Sequence, residues 1–151
     1  MRARLLVLVL MAAAAGCRAV SGSAPDPAAA SRSAAEWDEL FNAHRLGDLA
    51  LLYASDADSM PYDTPTVHGR PAIQAMFESF NRDNDDAHHE TTVDELVLTP
   101  DRSIERGHYR MTYTPKATHQ PVVETGRHVM ERRWIEGRWQ IVWEVFNTDK
   151  P

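Results

Sequence analysis

The spacing of apolar side chains changes period once along this chain, close to His88, and nothing else in the sequence narrows the fold as much. Upstream the spacing is helical. Trp37, Leu40, Phe41 and His44 stand at i, i+3, i+4 and i+7, behind an S-x-x-E capping box at Ser33–Glu36. Gly47 is expected to stop that helix, and Asp48 to cap a short second one through Leu49, Leu52 and Tyr53. Residues 56–69 read as irregular, with two prolines and room for a short strand around Ser59 to Tyr62. Pro71 suits the first turn of a third helix with Ile73, Met76, Phe77 and Phe80 on one face, closed by the polar run Asn81 to Asp86.

Downstream of His88 the residues alternate, the pattern of strands with one buried face. Four strands are expected: Thr91–Thr99, Ser103–Thr114, Val122–Ile135 and Trp139–Asn147. A turn at Pro100-Asp101 joins the first two, and a loop bearing Pro115 and Pro121 follows. Helices first and strands afterwards predict an α+β domain with three N-terminal helices packed on one face of an antiparallel sheet. Parallel crossovers have no room in this order of elements.

The N-terminus carries a different message. Arg2 and Arg4, the apolar run Leu5–Met11 and the small residues Ala12–Gly16 have the three parts of a secretory signal, too short to span a bilayer. Cys17, the only cysteine, follows at once. The stretch AAGC resembles the bacterial lipobox, with Ala14 where leucine is more usual; ordinary cleavage within the alanine run, leaving a free thiol, is the alternative. The resemblance implies acylation of Cys17 and, since Arg18 rather than Asp follows, the periplasmic face of the outer membrane. Residues 1–16 are thus expected to be a signal peptide, residues 17–32, rich in Ala, Ser and Pro, a flexible tether, and residues 33–151 one compact domain. Loss of Arg2 and Arg4 takes the net charge from −6 to −8, and the basic residues are scattered among acids, which argues against a nucleic-acid partner.

Several stretches in this order resemble the SnoaL-like, ketosteroid-isomerase-like superfamily: LFNAHRLGDLALLYASDA (40–57), HGRPAIQAMF (68–77), ERGHY (105–109) and GRHVMERRWIEGRWQIVWEVFNTDKP (126–151). The resemblance implies a cone-shaped fold with an internal pocket between helices and a curved sheet, a small-molecule ligand, and homodimerisation through the sheet. It specifies fold better than function, since unrelated chemistries share this pocket. The isomerases use an aspartate base and a tyrosine with a protonated aspartic acid as oxyanion donors. Here Pro61, Leu40 and Met130 stand at the matching places, with Tyr62 and Asp63 beside the missing base, which argues against steroid-type isomerisation.

Pairing the last two strands about Glu136-Gly137 sets Trp134 opposite Trp139, Met130 opposite Trp143, His128 opposite Val145 and Gly126 opposite Asn147. The face carrying Trp139, Ile141, Trp143 and Val145 is then expected inward, with His128, Met130 and Arg132. Pairing the preceding hairpin puts His108 opposite His128, and a slip of one residue would separate them. Two imidazoles in a dry pocket would disfavour each other's protonation and leave a general base. The candidate catalytic residues are therefore His128, His108 and Tyr62. The candidate ligand-binding residues are Trp37, Phe41, His44, Arg106, Met130, Trp143 and Asn147. No cofactor is called for, and no metal: His88, His89 and Glu90 are adjacent in a strand and point to opposite faces. Three readings stand: a small-ligand-binding domain, an isomerase, dehydratase or cyclase with a histidine base, and an interaction module using Glu131, Arg133, Gln140 and Glu144 on an outer face.

Overall fold

The computed structural model describes residues 27–149. The signal, Cys17 and the first part of the tether lie outside the described residues. Helix α1 (Pro27–Asn42) and the short α2 (Leu46–Ala50) precede strands β1 (Tyr53–Pro61) and β2 (Val67–His68); α3 (Arg70–Asp83) is followed by β3 (Asn84–Leu98), β4 (Arg102–Pro115), β5 (Val122–Ile135) and β6 (Arg138–Thr148). The expected α+β class holds, with three helices on one sheet.

Helix α1 begins six residues before the capping box, so Ser33 lies inside the helix, buried, instead of capping it. The alanine-rich stretch assigned to the tether is good helix-forming sequence, and propensity extends the helix through it. The other end also differs. Gly47 sits within α2, and α1 closes in a Schellman motif: Arg45 N–H bonds Leu40 C=O, His44 N–H bonds Phe41 C=O, and His44 takes the left-handed conformation with φ of 55°. Helix α3 starts as read, with proline in its first turn and Ile73 and Phe77 buried.

The strands form one six-stranded sheet in the order β2-β1-β6-β5-β4-β3. Strand β1 is longer than the short segment expected, and it runs parallel to β6 while the other pairs are antiparallel. The sheet is therefore mixed. The parallel pair needs no local crossover, because all of α3 and β3–β5 lie between its two members in sequence. Leu40, Phe41, Leu49, Tyr53, Ile73, Phe77 and Ile141 pack as the core between helices and sheet. Each large apolar side chain taken wholly from water there stabilises the fold by about 1.5–3 kcal/mol.

Two registers decide what faces the helices. Glu136 and Gly137 both have positive φ, a type I′ turn, and the β5–β6 hairpin keeps the expected pairing from Trp134↔Trp139 to Arg132↔Ile141. A bulge at Val142 then shifts the pairing to Glu131↔Trp143 and Met130↔Glu144. From there on β6 is turned over: Glu144 points in, and Trp143 points out to donate from Nε1 to Glu131 at 2.9 Å. In the β4–β5 hairpin Gly107 pairs with His128 and Tyr109 with Gly126, one residue away from the expected register. The reason is steric. A Cβ on Gly107 would run into the Thr92 carbonyl oxygen and lie 2.9 Å from the His128 ring, and one on Gly126 would run into the Asn147 carbonyl oxygen and lie 2.6 Å from the Tyr109 ring, so only glycine fits opposite each ring.

Candidate functional site

Between α1, α3 and the inner face of β3–β6 lies a cavity of about 190 Å³. Trp37, Phe41, Met76, Phe77, Phe80, Met111, Met130 and Phe146 make most of its wall apolar. The polar groups gather in two places.

The first is on β3. A bulge between Asp85 and His88 sets the alternation of this strand so that His89 and Thr91 face the cavity while His88 and Glu90 face solvent. Asp38 and Asn42, one turn apart on α1, reach β3 together. Asn42 accepts the His89 backbone N–H at 2.7 Å and donates to its C=O at 2.8 Å. Asp38 accepts the backbone N–H of Thr91 at 2.7 Å, the Thr91 hydroxyl at 2.9 Å and the His89 ring at Nδ1 at 2.7 Å. Because β3 is the sheet edge, these helix side chains supply partners that a further strand would otherwise supply. A carboxylate only accepts, so Nδ1 of His89 carries a proton, and in the neutral ring this fixes the tautomer whose Nε2 holds the lone pair. The ring is held by stacking on Tyr109 at 5.3 Å and by Trp37 at 4.7 Å.

The second is a buried set on β4, β5 and β6. Glu105 is fully buried; it accepts Nε2–H of His128 at 3.1 Å and Nη1–H of Arg132 at 2.8 Å. Burial alone would raise the Glu105 carboxyl, but the His128 hydrogen bond and the charge and hydrogen bond of Arg132 outweigh it, and its pKa lies below the ordinary value. Beside it, Glu144 accepts the Ser59 hydroxyl at 2.7 Å and the Tyr53 hydroxyl at 3.0 Å, and Tyr53 in turn accepts the Trp37 indole N–H at 2.9 Å. Burial pushes the Glu144 carboxyl up despite those bonds and the nearby positive groups. Tyr53 is held well above the ordinary phenol value, by burial first and then by Glu144. Tyr109 donates to Glu124 at 3.0 Å, and burial with that neighbour keeps its hydroxyl protonated too.

Among the candidates from sequence, Trp37, Phe41, His128 and Met130 stand in the cavity wall. His108 does not meet His128: the shifted register turns it to the outer face, where its Nδ1 pairs with Asp94 at 3.2 Å. Arg106 is likewise outward and bonds Glu95 at 2.6 Å, because the inward position next to it belongs to Glu105. Trp143 and Asn147 are turned away by the bulge at Val142, and Glu144 and Phe146 take their places. Only the backbone oxygen of Asn147 approaches the site, receiving Tyr109 Oη at 3.3 Å. His44 is exposed and bonded to Asn81, since the helix ends before it instead of carrying it as a face residue. Tyr62, half-buried, follows the end of β1 beside Phe146, near enough to bear on Tyr109, but is not part of the wall. The polar outer face expected for docking is broken up: Glu144 faces the cavity and Gln140 is buried beside Arg70, leaving Glu131 with Arg133 and Arg102.

The sequence pattern assigned Asp38 and Glu105 no role, weighed His89 only as a metal ligand and put Glu144 on the outer face, whereas His89, Glu105 and Glu144 stand in the cavity wall and Asp38 backs His89. The one local hint was the spacing of Asp38 and Asn42, which puts both side chains on one side of α1 next to its apolar stripe. Among the described residues no group of three or more His, Cys, Asp or Glu side chains could hold a metal ion, and no helix is long and apolar enough to cross a membrane.

Residues 34–141 match the SnoaL-like domain family. This chain belongs to the SnoaL-like family. Solved structures similar to this SnoaL-like domain include a ketosteroid isomerase-like protein from Erwinia carotovora atroseptica SCRI1043, 20% identical with a TM-score of 0.72 over 82% of this chain and 96% of that one. A hexachlorocyclohexane dehydrochlorinase, LinA-type3, from Novosphingobium barchaimii LL02 is 15% identical, with a TM-score of 0.72 over 82% and 86% of the two chains. An NTF2-like protein with a cystatin-like fold from Novosphingobium aromaticivorans is 16% identical, with a TM-score of 0.66 over 79% of each chain. At these identities the likeness speaks for the fold. No curated protein sequence matches. The SnoaL-like domain thus has the ketosteroid-isomerase-like, cystatin-like fold.

Proposed function

We propose that this SnoaL-like domain is an enzyme that removes a proton from carbon in a small, largely apolar substrate, leading to elimination or isomerisation, with His89 as the base. The observation that carries this is the His89 ring in the cavity wall, bonded through Nδ1 to Asp38 at 2.7 Å. Asp38 fixes the tautomer and stabilises the imidazolium that forms, and Trp37 and Tyr109 fix the ring plane. Nε2 takes the proton. The C–H electron pair then forms a new C=C bond as a leaving group departs from the neighbouring carbon, or is held transiently and reprotonated elsewhere. The named activity of the similar dehydrochlorinase, loss of hydrogen chloride, is an elimination of this kind. Steroid-type isomerisation fits poorly, because about 190 Å³ cannot enclose four fused rings when about 150 Å³ holds one benzene. We also propose that acylated Cys17 holds the domain at the bacterial envelope.

The test is a panel of one-ring substrates bearing halide, hydroxyl or carbonyl groups, followed by leaving-group release and by deuterium uptake at carbon. His89→Ala is expected to lower turnover by about 10²–10⁴-fold. Because Asn42 holds the backbone of residue 89, the fold should survive. Asp38→Asn turns an amide N–H toward Nδ1, which puts the ring proton on Nε2 and should cost a comparable factor. A protein inert across the panel, or one that His89→Ala leaves at full rate, would overturn the reading.

A further inference from the structure

Glu124 stands in the cavity wall on β5, half-buried, and what it touches is two hydroxyls: Tyr109 donates to Oε1 at 3.0 Å and Tyr113 to Oε2 at 3.5 Å. No cationic side chain among the described residues pairs with it. The other carboxyls at this cavity are each accounted for. Glu105 has Arg132 and His128, Asp38 takes three donors behind the His89 ring, and burial holds Glu144 toward its neutral form. Neutral hydroxyls satisfy the lone pairs of Glu124 without cancelling a negative charge. We infer that the Glu124 end of the cavity takes an ammonium group, so that the ligand is a one-ring compound bearing one amine. This rests on the reading of the cavity as a substrate site.

Aromatic rings gather at that carboxylate. Tyr109 lies against Phe146 with centroids 6.5 Å apart and Tyr113 against Phe80 at 5.1 Å, and Phe80, Tyr109 and Phe146 share the cavity wall with Glu124. Ring faces attract a cation through their quadrupole, so a carboxylate set among rings favours an ammonium over a hydroxyl, which gains from the carboxylate alone. An anionic ligand would bring a second negative group to Glu124 with no cation between them. The acid excess of the whole chain, a net charge of −6, favours the approach of cations as well. Size sets the rest: a cavity of about 190 Å³ holds about one ring with a short substituent. Tyr109 joins this end of the cavity to the proposed base, since its ring stacks on His89 at 5.3 Å while its hydroxyl bonds Glu124.

The experiment is a binding panel on the full chain by calorimetry near neutral pH: benzylamine, ethylbenzene of nearly the same shape, benzyl alcohol and benzoate. The amine should bind about 10-fold or more tightly than either neutral compound, and benzoate most weakly. In Glu124→Gln, whose amide oxygen still accepts from the tyrosines, the amine preference should vanish while ethylbenzene binding stays. Glu90→Gln, on the solvent side of β3, and His89→Ala should both keep the preference. Equal affinity of the wild-type protein for the amine and a neutral compound, tightest binding of benzoate, or a preference that survives in Glu124→Gln would overturn the inference. So would a preference lost in Glu90→Gln or His89→Ala, which would place the ammonium elsewhere. A chain that binds none of the four would sink the cavity reading together with it. An amine preference without turnover of any substrate would sink the proton-abstraction reading alone.

Discussion

Glu105 and Glu144 face the same cavity and are both buried, yet their carboxyls move in opposite directions, chiefly because of what each one touches. Glu105 has Arg132 and His128; Glu144 has only neutral hydroxyls in contact, so the cost of burying charge prevails. Each shift is a statement about stability. The lowered pKa of Glu105 contributes stability that is complete above the ordinary glutamate value near 4.5 and is lost as pH falls through its folded value. The raised pKa of Glu144 works the other way: the folded chain holds that proton more tightly, so stability falls as pH rises from about the same ordinary value through its raised one. Thermal unfolding followed against pH should therefore show an acid arm and a second, descending arm above it. Glu144→Gln keeps an acceptor for Ser59 and should abolish the descending arm. Glu105→Gln should cost about 3–5 kcal/mol, because Arg132 is then buried without a counter-charge. A descending arm that persists in Glu144→Gln would show that burial of this carboxyl is not its cause.

Elements were legible where local chemistry determines them and illegible where one strand must choose its register on another. Pro71 and the Ile73–Phe77–Phe80 spacing place α3, and Glu136-Gly137 places the last turn, since each depends only on neighbours along the chain. The inward face of β6 depends on the bulge at Val142, which no local pattern marks, so Trp143 and Glu144 exchange roles. The β4–β5 register was recoverable: setting each ring residue against a glycine, His128 on Gly107 and Tyr109 on Gly126, selects the observed pairing over the one that joins the two histidines. The clamp of α1 on β3 is the long-range element that sequence spacing only hints at. Asn42 satisfies both backbone groups of His89 on an edge strand, so Asn42→Ala should destabilise the domain by about 1–3 kcal/mol. Amide exchange should accelerate at residue 89 and its neighbours well before the rest of the sheet. Uniform acceleration across β4–β6 instead would mean that the clamp has no local role.

At the scale of the whole molecule, the proposed anchor and the cavity belong to one physical account. About ten residues separate Cys17 from the start of α1, a reach of at most roughly 35 Å even when fully extended. A domain tethered that closely samples the layer of water next to the bilayer, where small apolar ligands are enriched by partition, and its cavity is walled mostly by Trp, Phe and Met. With several acyl chains at about 0.8 kcal/mol per buried methylene, attachment would be effectively permanent, and the net charge of −8 left after loss of the signal would supply no attraction to an anionic surface of its own. Attachment then depends on one sulfur. Cys17→Ser should abolish incorporation of labelled fatty acid and move the chain from the membrane to the soluble fraction. The thermal transition of the folded part should stay unchanged, because Cys17 lies outside every contact described in α1 to β6. Membrane retention of Cys17→Ser, or a wild-type chain that takes up no label, would remove the anchor from this account and leave the cavity chemistry standing by itself.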